Sequence, residues 1–249
     1  MSIIQGTAKG GSASFYDFPI GDSLRFDGTS SYLSRTPATA GNRQTWTWSG
    51  WVKRGNLGVS QVVFGTQLGG SDIGYISFDT GNKLDLNNKV SNSTGIEGNS
   101  TRVFRDVGAW YHLVIVYEGN QSNQSDRFSI YVNGESDTFV PRSSLSAGNG
   151  YINTAVIHGI GYRAQLNDLY FNGYLANIQF IDGQALDASY FGETKDDIWI
   201  PKAYTGSYGT NGFHLTFEDG IESLPVGGYT GNQNAFRDKS HNTNHWKIN

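Results

Sequence analysis

Residues 23–53 read SLRFDGTSSYLSRTPATAGNRQTWTWSGWVK, and the fold is decided there. Two short runs of alternating character, Leu24-Arg25-Phe26 and Tyr32-Leu33-Ser34, flank Asp27-Gly28, a dipeptide favoured in tight hairpin turns. After a Pro/Ala/Gly/Asn loop, residues 45–52 alternate Trp46 and Trp48 with Thr47 and Ser49. Period two places both indoles on one face of a strand, and that face is expected to be core. Further along, residues 109–135 (AWYHLVIVYEGNQSNQSDRFSIYVNGE) continue the pattern. Residues 110–117 form the longest apolar run and are expected to be a central strand. Residues 127–132 alternate and end at Asn133-Gly134, with a polar loop at 120–126 between the two.

Shorter strands are expected at 61–64, 75–78, 83–86, 155–160, 173–181 and 213–217, separated by Gly-rich turns. Residues 185–192 (ALDASYFG) suit a short helix or helical turn, about the only helix in the chain. Leu24-Arg25-Phe26-Asp27-Gly28 is echoed by residues 215–220 (LTFEDG), so the first and last strands are expected to lie side by side. One echo does not make a repeat architecture. The expected organisation is an N-terminal attachment segment at 1–20, a sandwich at 21–200, and a C-terminal strand with an Asn/Gly-rich extension at 201–249.

Composition narrows the function. Charged residues are only 16% of the chain while aromatics reach 14% and glycines number 33, a mix that favours many short strands and tight turns. A net charge of −4 with no Lys/Arg cluster argues against a nucleic-acid partner. With no cysteine there are no disulfides, thiolate metal sites or thiol nucleophiles. The apolar runs are strand-length, too short to insert in a bilayer as helices. The opening MSIIQGTAKGGSASF lacks the basic and apolar regions of a secretory signal, so synthesis in a cytoplasm is expected and the sequons at Asn92, Asn99, Asn120 and Asn123 read as chance.

No catalytic residue is assigned. Sugar hydrolysis on a β-sandwich needs two carboxylates facing one cleft, often from a Glu-x-Asp-x-Glu strand, and no such run exists. Glu218 with Glu222, and Glu193 with Asp196 and Asp197, read as surface turn acids. His241 and His245 have zinc-pair spacing but lie in a polar Asn/Thr context that suits a loop. His112 reads as a hydrogen-bonded sheet residue. No metal site is assigned, although Asp27, Asp182 and Asp219, each at a turn beside glycine, could meet at one end of a sandwich and hold Ca2+. Tyr204, Tyr208 and Tyr229 lie in Gly-rich loops and are the rings expected to be exposed for stacking on a glycan. Phe15, Tyr16 and Phe18 close the N-terminal segment, where they either cover a sheet edge or contact a neighbouring subunit.

The runs SLRFDGTSSYL, TWTWSGWVK, AWYHLVIVYEG, RFSIYVNGE and GYLANIQFIDGQALDASYF, spanning roughly residues 23–192, resemble laminin-G-like modules. That resemblance implies an all-β, antiparallel jelly-roll β-sandwich of the concanavalin A-like type, with short terminal extensions. Such sandwiches carry lectins, glycanases and passive modules alike, so the fold does not fix the function. A resemblance over nearly the whole chain is to virion proteins of tailed bacteriophages, including marine ones. It is carried by MSIIQG, by residues 32–55 (YLSRTPATAGNRQTWTWSGWVKRG) and by residues 199–220 (WIPKAYTGSYGTNGFHLTFEDG). Longer relatives continue past this region while the present sequence stops at Asn249. What is implied is therefore a small, non-enzymatic virion component, a capsid decoration, head fibre or tail-attached protein. Its expected partners are copies of itself, other virion proteins and a host cell-surface glycan. A carbohydrate-binding tail adhesin is the alternative, with a glycan hydrolase a distant third.

Overall fold

The structure, a computed structural model, describes residues 17–225 and 232–249. The strands in chain order are β1 (Leu24–Asp27), β2 (Leu33–Arg35), β3 (Thr45–Arg54), β4 (Gln61–Leu68), β5 (Asp72–Phe78), β6 (Lys83–Val90), β7 (Thr94–Val103), β8 (Tyr111–Glu118), β9 (Phe128–Val132), β10 (Glu135–Asp137), β11 (Phe139–Pro141), β12 (His158–Ile160), β13 (Asn172–Asp182), β14 (Gly192–Lys195), β15 (Ile198–Pro201), β16 (Phe213–Leu215), β17 (Glu222–Pro225), β18 (Asn232–Phe236) and β19 (Trp246–Ile248). One sheet runs β1-β13-β3-β8-β9-β10, with β16 also on β13; a second runs β11-β7-β6-β5-β4-β12-β2-β19-β18-β17; and β14 and β15 pair as a separate two-stranded hairpin. The strand pairs in both large sheets are antiparallel, as expected for the jelly roll. No helix among the described residues is long and apolar enough to cross a membrane.

The core between the sheets follows from the alternation of β3. Trp46 and Trp48 are fully buried, Trp46 stacking on Tyr117 of β8 with centroids 5.5 Å apart. Gly50 is required by the neighbour two residues away, because a Cβ there would come within 2.6 Å of the Trp48 ring. Strand β8 lies between β3 and β9, and its odd-numbered Leu113, Ile115 and Tyr117 enter the same core. Trp246 on β19 closes that core from the C-terminal side, packing edge-on against Phe213 at 4.9 Å. A second, smaller apolar cluster covers the opposite face of the first sheet. There Val114, Val116 and Ile181 meet Leu186, Phe191 and Tyr208 from the segment after β13. Residues 185–192 contribute a single 3-10 turn, Ala188–Tyr190, capped by the Asp187 carboxylate.

Two sequence expectations are corrected. Strands β1 and β2 do not form a hairpin: β1 pairs with β13 in one sheet and β2 with β12 and β19 in the other. The Asp27 carboxylate accepts the backbone N–H groups of Thr29, Ser30 and Ser31 at 2.8–2.9 Å, and these bonds hold it well below the usual carboxylate range. That cap stabilises a chain crossing between layers as readily as a hairpin, which is why Asp-Gly misled. The echoed strands β1 and β16 are also not neighbours. They lie end to end along one edge of β13, β1 against residues 172–175 and β16 against residues 178–180.

Candidate functional site

Strand β3 carries a third tryptophan, Trp51, at an odd spacing from Trp48. Period two therefore turns it onto the outer face of the first sheet. In register beside it lie Ala176 on β13 and His112 on β8. His112 is 1% exposed and sits between two indoles. Trp51 stacks on it at 4.9 Å and 25°, and Trp199 of β15 stacks at 5.9 Å and 24°.

The protonation of His112 is dictated by its partners. The Trp199 indole N–H, which can only donate, reaches His112 Nδ1 at 2.9 Å, so Nδ1 is the acceptor. Nε2 then carries the proton and donates to Ser49 Oγ at 2.9 Å. Burial pulls the imidazole down to about 3, which keeps it neutral. Its backbone N–H donates to Asn133 Oδ1 at 2.8 Å, tying the site to the turn between β9 and β10. At that turn Asn133 (φ 51°) and Gly134 (φ 82°) both take left-handed conformations. A Cβ on Gly134 would lie 2.4 Å from the Trp199 ring, so only glycine lets the turn pack there.

Trp110, on the same outer face as His112, tilts toward Tyr174 at 6.4 Å. Trp51, Trp110 and Trp199 together form a ridge with an open cavity on each side. The first, about 460 Å³, is bounded by Pro19, Ile20 and Asp22, with Ala176 and Pro201. The second, about 590 Å³, is bounded by Arg102, Glu135, Thr194, Asp197 and Ile198. Asp17 lies 3.9 Å from Lys195, so the segment before β1 runs along the ridge toward the β14–β15 hairpin. The result is a partly apolar groove with polar rims, chemically suited to the face of a pyranose ring.

The residues expected from sequence to bind a glycan are not these. Tyr208 is 8% exposed, stacks on His214 and donates to Gln179 Oε1 at 2.8 Å, so the expected exposed loop ring is a buried one. Its place in the outer apolar cluster is the physical reason. Tyr204 is half-buried against Tyr208, its hydroxyl donating to the Ser207 carbonyl at 2.9 Å. Tyr229, Phe15 and Tyr16 lie outside the described residues, and Phe18 is half-buried.

The three aspartates considered for Ca2+ do not meet. Asp27 is opposite Asn172 and Asp182 is the last residue of β13, which puts them about 33 Å apart along that strand. Asp182 instead accepts from Asn42 N, Asn153 Nδ2 and Asn211 N within the fold, and Asp219 pairs with Lys239. Among the described residues no group of three or more His, Asp or Glu side chains is placed to hold a metal ion. His245 Nδ1 accepts from the Asp238 backbone N–H at 3.0 Å, and Glu222 pairs with Arg237 at 2.7 Å. A carboxylate pair does share the outer face of the second sheet, Asp85 on β6 and Glu97 on β7, but each is held by a cation. Arg142 meets Asp85 and Lys89 meets Glu97, both at 2.7 Å.

Sequence reading missed the groove. The odd spacing of Trp51 was a usable signal for an outward indole. Nothing local indicates that residues 110 and 199 converge on it.

Among solved structures, the chain is similar to a candidate carbohydrate-binding protein from Bacteroides ovatus, at 14% identity and a TM-score of 0.59. The match covers 91% of this chain and 59% of that one, so the chain spans well under two-thirds of that protein. It is also similar to the heptameric SAP-like pentraxin of Limulus polyphemus (18% identity, TM-score 0.47, 66% and 76% covered). The mouse laminin α1 chain, domains LG4-5, is a third (17%, 0.45, 74% and 46%). The first of these likenesses bears on the fold alone. No curated protein matches the sequence. The family model Laminin_G_3 matches residues 27–189, well over half of the chain, and the protein therefore belongs to the concanavalin A-like lectin/glucanases superfamily.

Proposed function

We propose that this protein is a non-catalytic carbohydrate-binding jelly roll carried on the surface of a bacteriophage particle, adhering to host glycans through the tryptophan groove. The observation that carries the binding reading is the ridge of Trp51, Trp110 and Trp199 on the outer face of the first sheet, open on both sides. Indoles bury large apolar area while presenting a flat face, and the polar rims supply partners for hydroxyls. A His–Trp hydrogen bond holds Trp199 in place, so that ring would lose little freedom on binding. The particle reading is supported by the whole-chain resemblance to virion proteins. Several copies on one particle would raise the avidity of a weak site. Of the acids at the groove, Glu135 is ion-paired to Arg102 at 3.0 Å and its side chain is 75% exposed, which supports a non-enzymatic role for that residue.

The test is an immobilised glycan array probed with the wild type and with Trp51→Ala. Binding by the wild type that falls at least about tenfold in the variant is expected from loss of a stacking face. Absence of binding by either protein removes the adhesive reading and leaves a structural virion component as the second one. Gold-antibody labelling of purified particles tests the location: label over head or tail supports the particle reading, and no label removes it.

A further inference from the structure

We infer that the groove takes a neutral, linear oligosaccharide laid across the strands, with rings on both sides of the tryptophan ridge, and not a single terminal sugar or an acidic glycan. This rests on the carbohydrate-binding reading above and specifies its ligand.

The first ground is direction and length. The two cavities together reach from Ala176 on β13, past Trp51 on β3 and over the buried His112 on β8, to Asn133 at the end of β9. Three inter-strand steps make about 14 Å, longer than one sugar ring and matched to a short chain. The two cavities share only Trp51, Trp110 and Trp199 in their linings, so they are two subsites about one aromatic ridge. A monosaccharide would fill one and leave the other to water.

The second ground is charge. Asp22 lies at the first cavity, and Glu135 and Asp197 at the second, where among the described residues Arg102 is the one lining cation and is already paired with Glu135. On the rim, Arg25 sits over the Tyr174 ring at 5.2 Å and bonds Asn172 Oδ1 at 2.9 Å, and Lys195 faces Asp17. Among the described residues neither cavity is lined by an uncommitted cation (Lys53, in register with Tyr174 on the same face, borders neither), so a carboxylate or phosphate seated there would meet Asp22, Glu135 and Asp197. A neutral chain pays no such repulsion.

The plug positions for a test are set by the fold. Gly21 borders the first cavity, has no atom within 4 Å of where a Cβ would stand, and is not in a left-handed conformation, so Gly21→Trp blocks that side without strain. Thr194, exposed on β14, borders the second, and Thr194→Trp blocks that side. The experiment titrates the full chain with cello- and galacto-oligosaccharides of increasing length, with oligogalacturonates of matched length as acidic counterparts.

Affinity for a neutral series is expected to rise about two- to tenfold with each added ring until the groove is filled, and then level off. Each plug should flatten that rise while leaving the shortest binding probes nearly unaffected. Equal affinity for a single ring and its trimer, a preference for the uronates, or a length dependence unchanged by both plugs overturns the inference while carbohydrate binding stands. No binding of any saccharide removes both.

Discussion

Replacing His112 by leucine tests the chemistry that holds the site together. The change roughly keeps the volume but removes the acceptor of the Trp199 N–H and the donor to Ser49 Oγ, leaving both groups without those partners. Leaving two such groups unsatisfied costs about 2–4 kcal/mol near neutral pH. That cost should itself depend on pH. In the folded chain His112 stays neutral down to about 3, whereas its ordinary value is 6.5. Below the ordinary value the unfolded chain takes up a proton that the folded chain refuses. Wild-type stability is therefore full above about 6.5 and falls by about 1.4 kcal/mol per pH unit as pH drops toward 3. At about pH 5 the wild type has given up about 2 kcal/mol through this residue, and the leucine variant nothing. The gap between the two should shrink from about 2–4 kcal/mol near pH 7.5 to about 0–2 near pH 5. The other histidines cancel in the difference. Urea unfolding followed by tryptophan emission at the two pH values measures it. A gap that does not change with pH, or a leucine variant as stable as the wild type at neutral pH, refutes the assigned tautomer and its burial.

Two further substitutions probe the frame that carries the groove. Gly50→Ala puts a methyl 2.6 Å from the Trp48 ring and should cost about 1–3 kcal/mol by overpacking, read as a lowered thermal midpoint. Asp182→Ala strands the Asn42 and Asn211 backbone N–H groups and the Asn153 amide, and should cost about 3 kcal/mol or more in urea unfolding. A fully stable Asp182→Ala would show that those donors find other partners.

The jelly-roll layers were legible because their signals are local and periodic. Trp46 and Trp48 alternate with small polar residues, and the apolar run beginning at Trp110 is too hydrophobic for anything but a central strand. The connection after Asp27 was not legible, since a carboxylate capping three N–H groups fits a layer crossing as well as a hairpin. Tyr208 misled for a related reason. Its Gly-rich setting signals a loop, but the loop folds back over Val114 and Val116 and takes the ring with it. The groove depends on contacts between residues 51, 112 and 199, whose proximity arises only after β15 is laid over the first sheet. Pattern reading along the chain has no access to that step.

The six tryptophans supply the most direct test of the central claim. Each gives one indole N–H resonance in a 15N-correlated spectrum, assignable by single Trp→Phe substitutions. Trp46, Trp48 and Trp246 are sealed in the core, while Trp51, Trp110 and Trp199 form the ridge. Titration with a glycan that binds should shift the Trp51 and Trp110 resonances saturably, with a smaller response from Trp199, and leave the three core resonances in place. Binding that moves none of the three ridge resonances would put the glycan elsewhere on the sandwich and contradict the assignment of the groove.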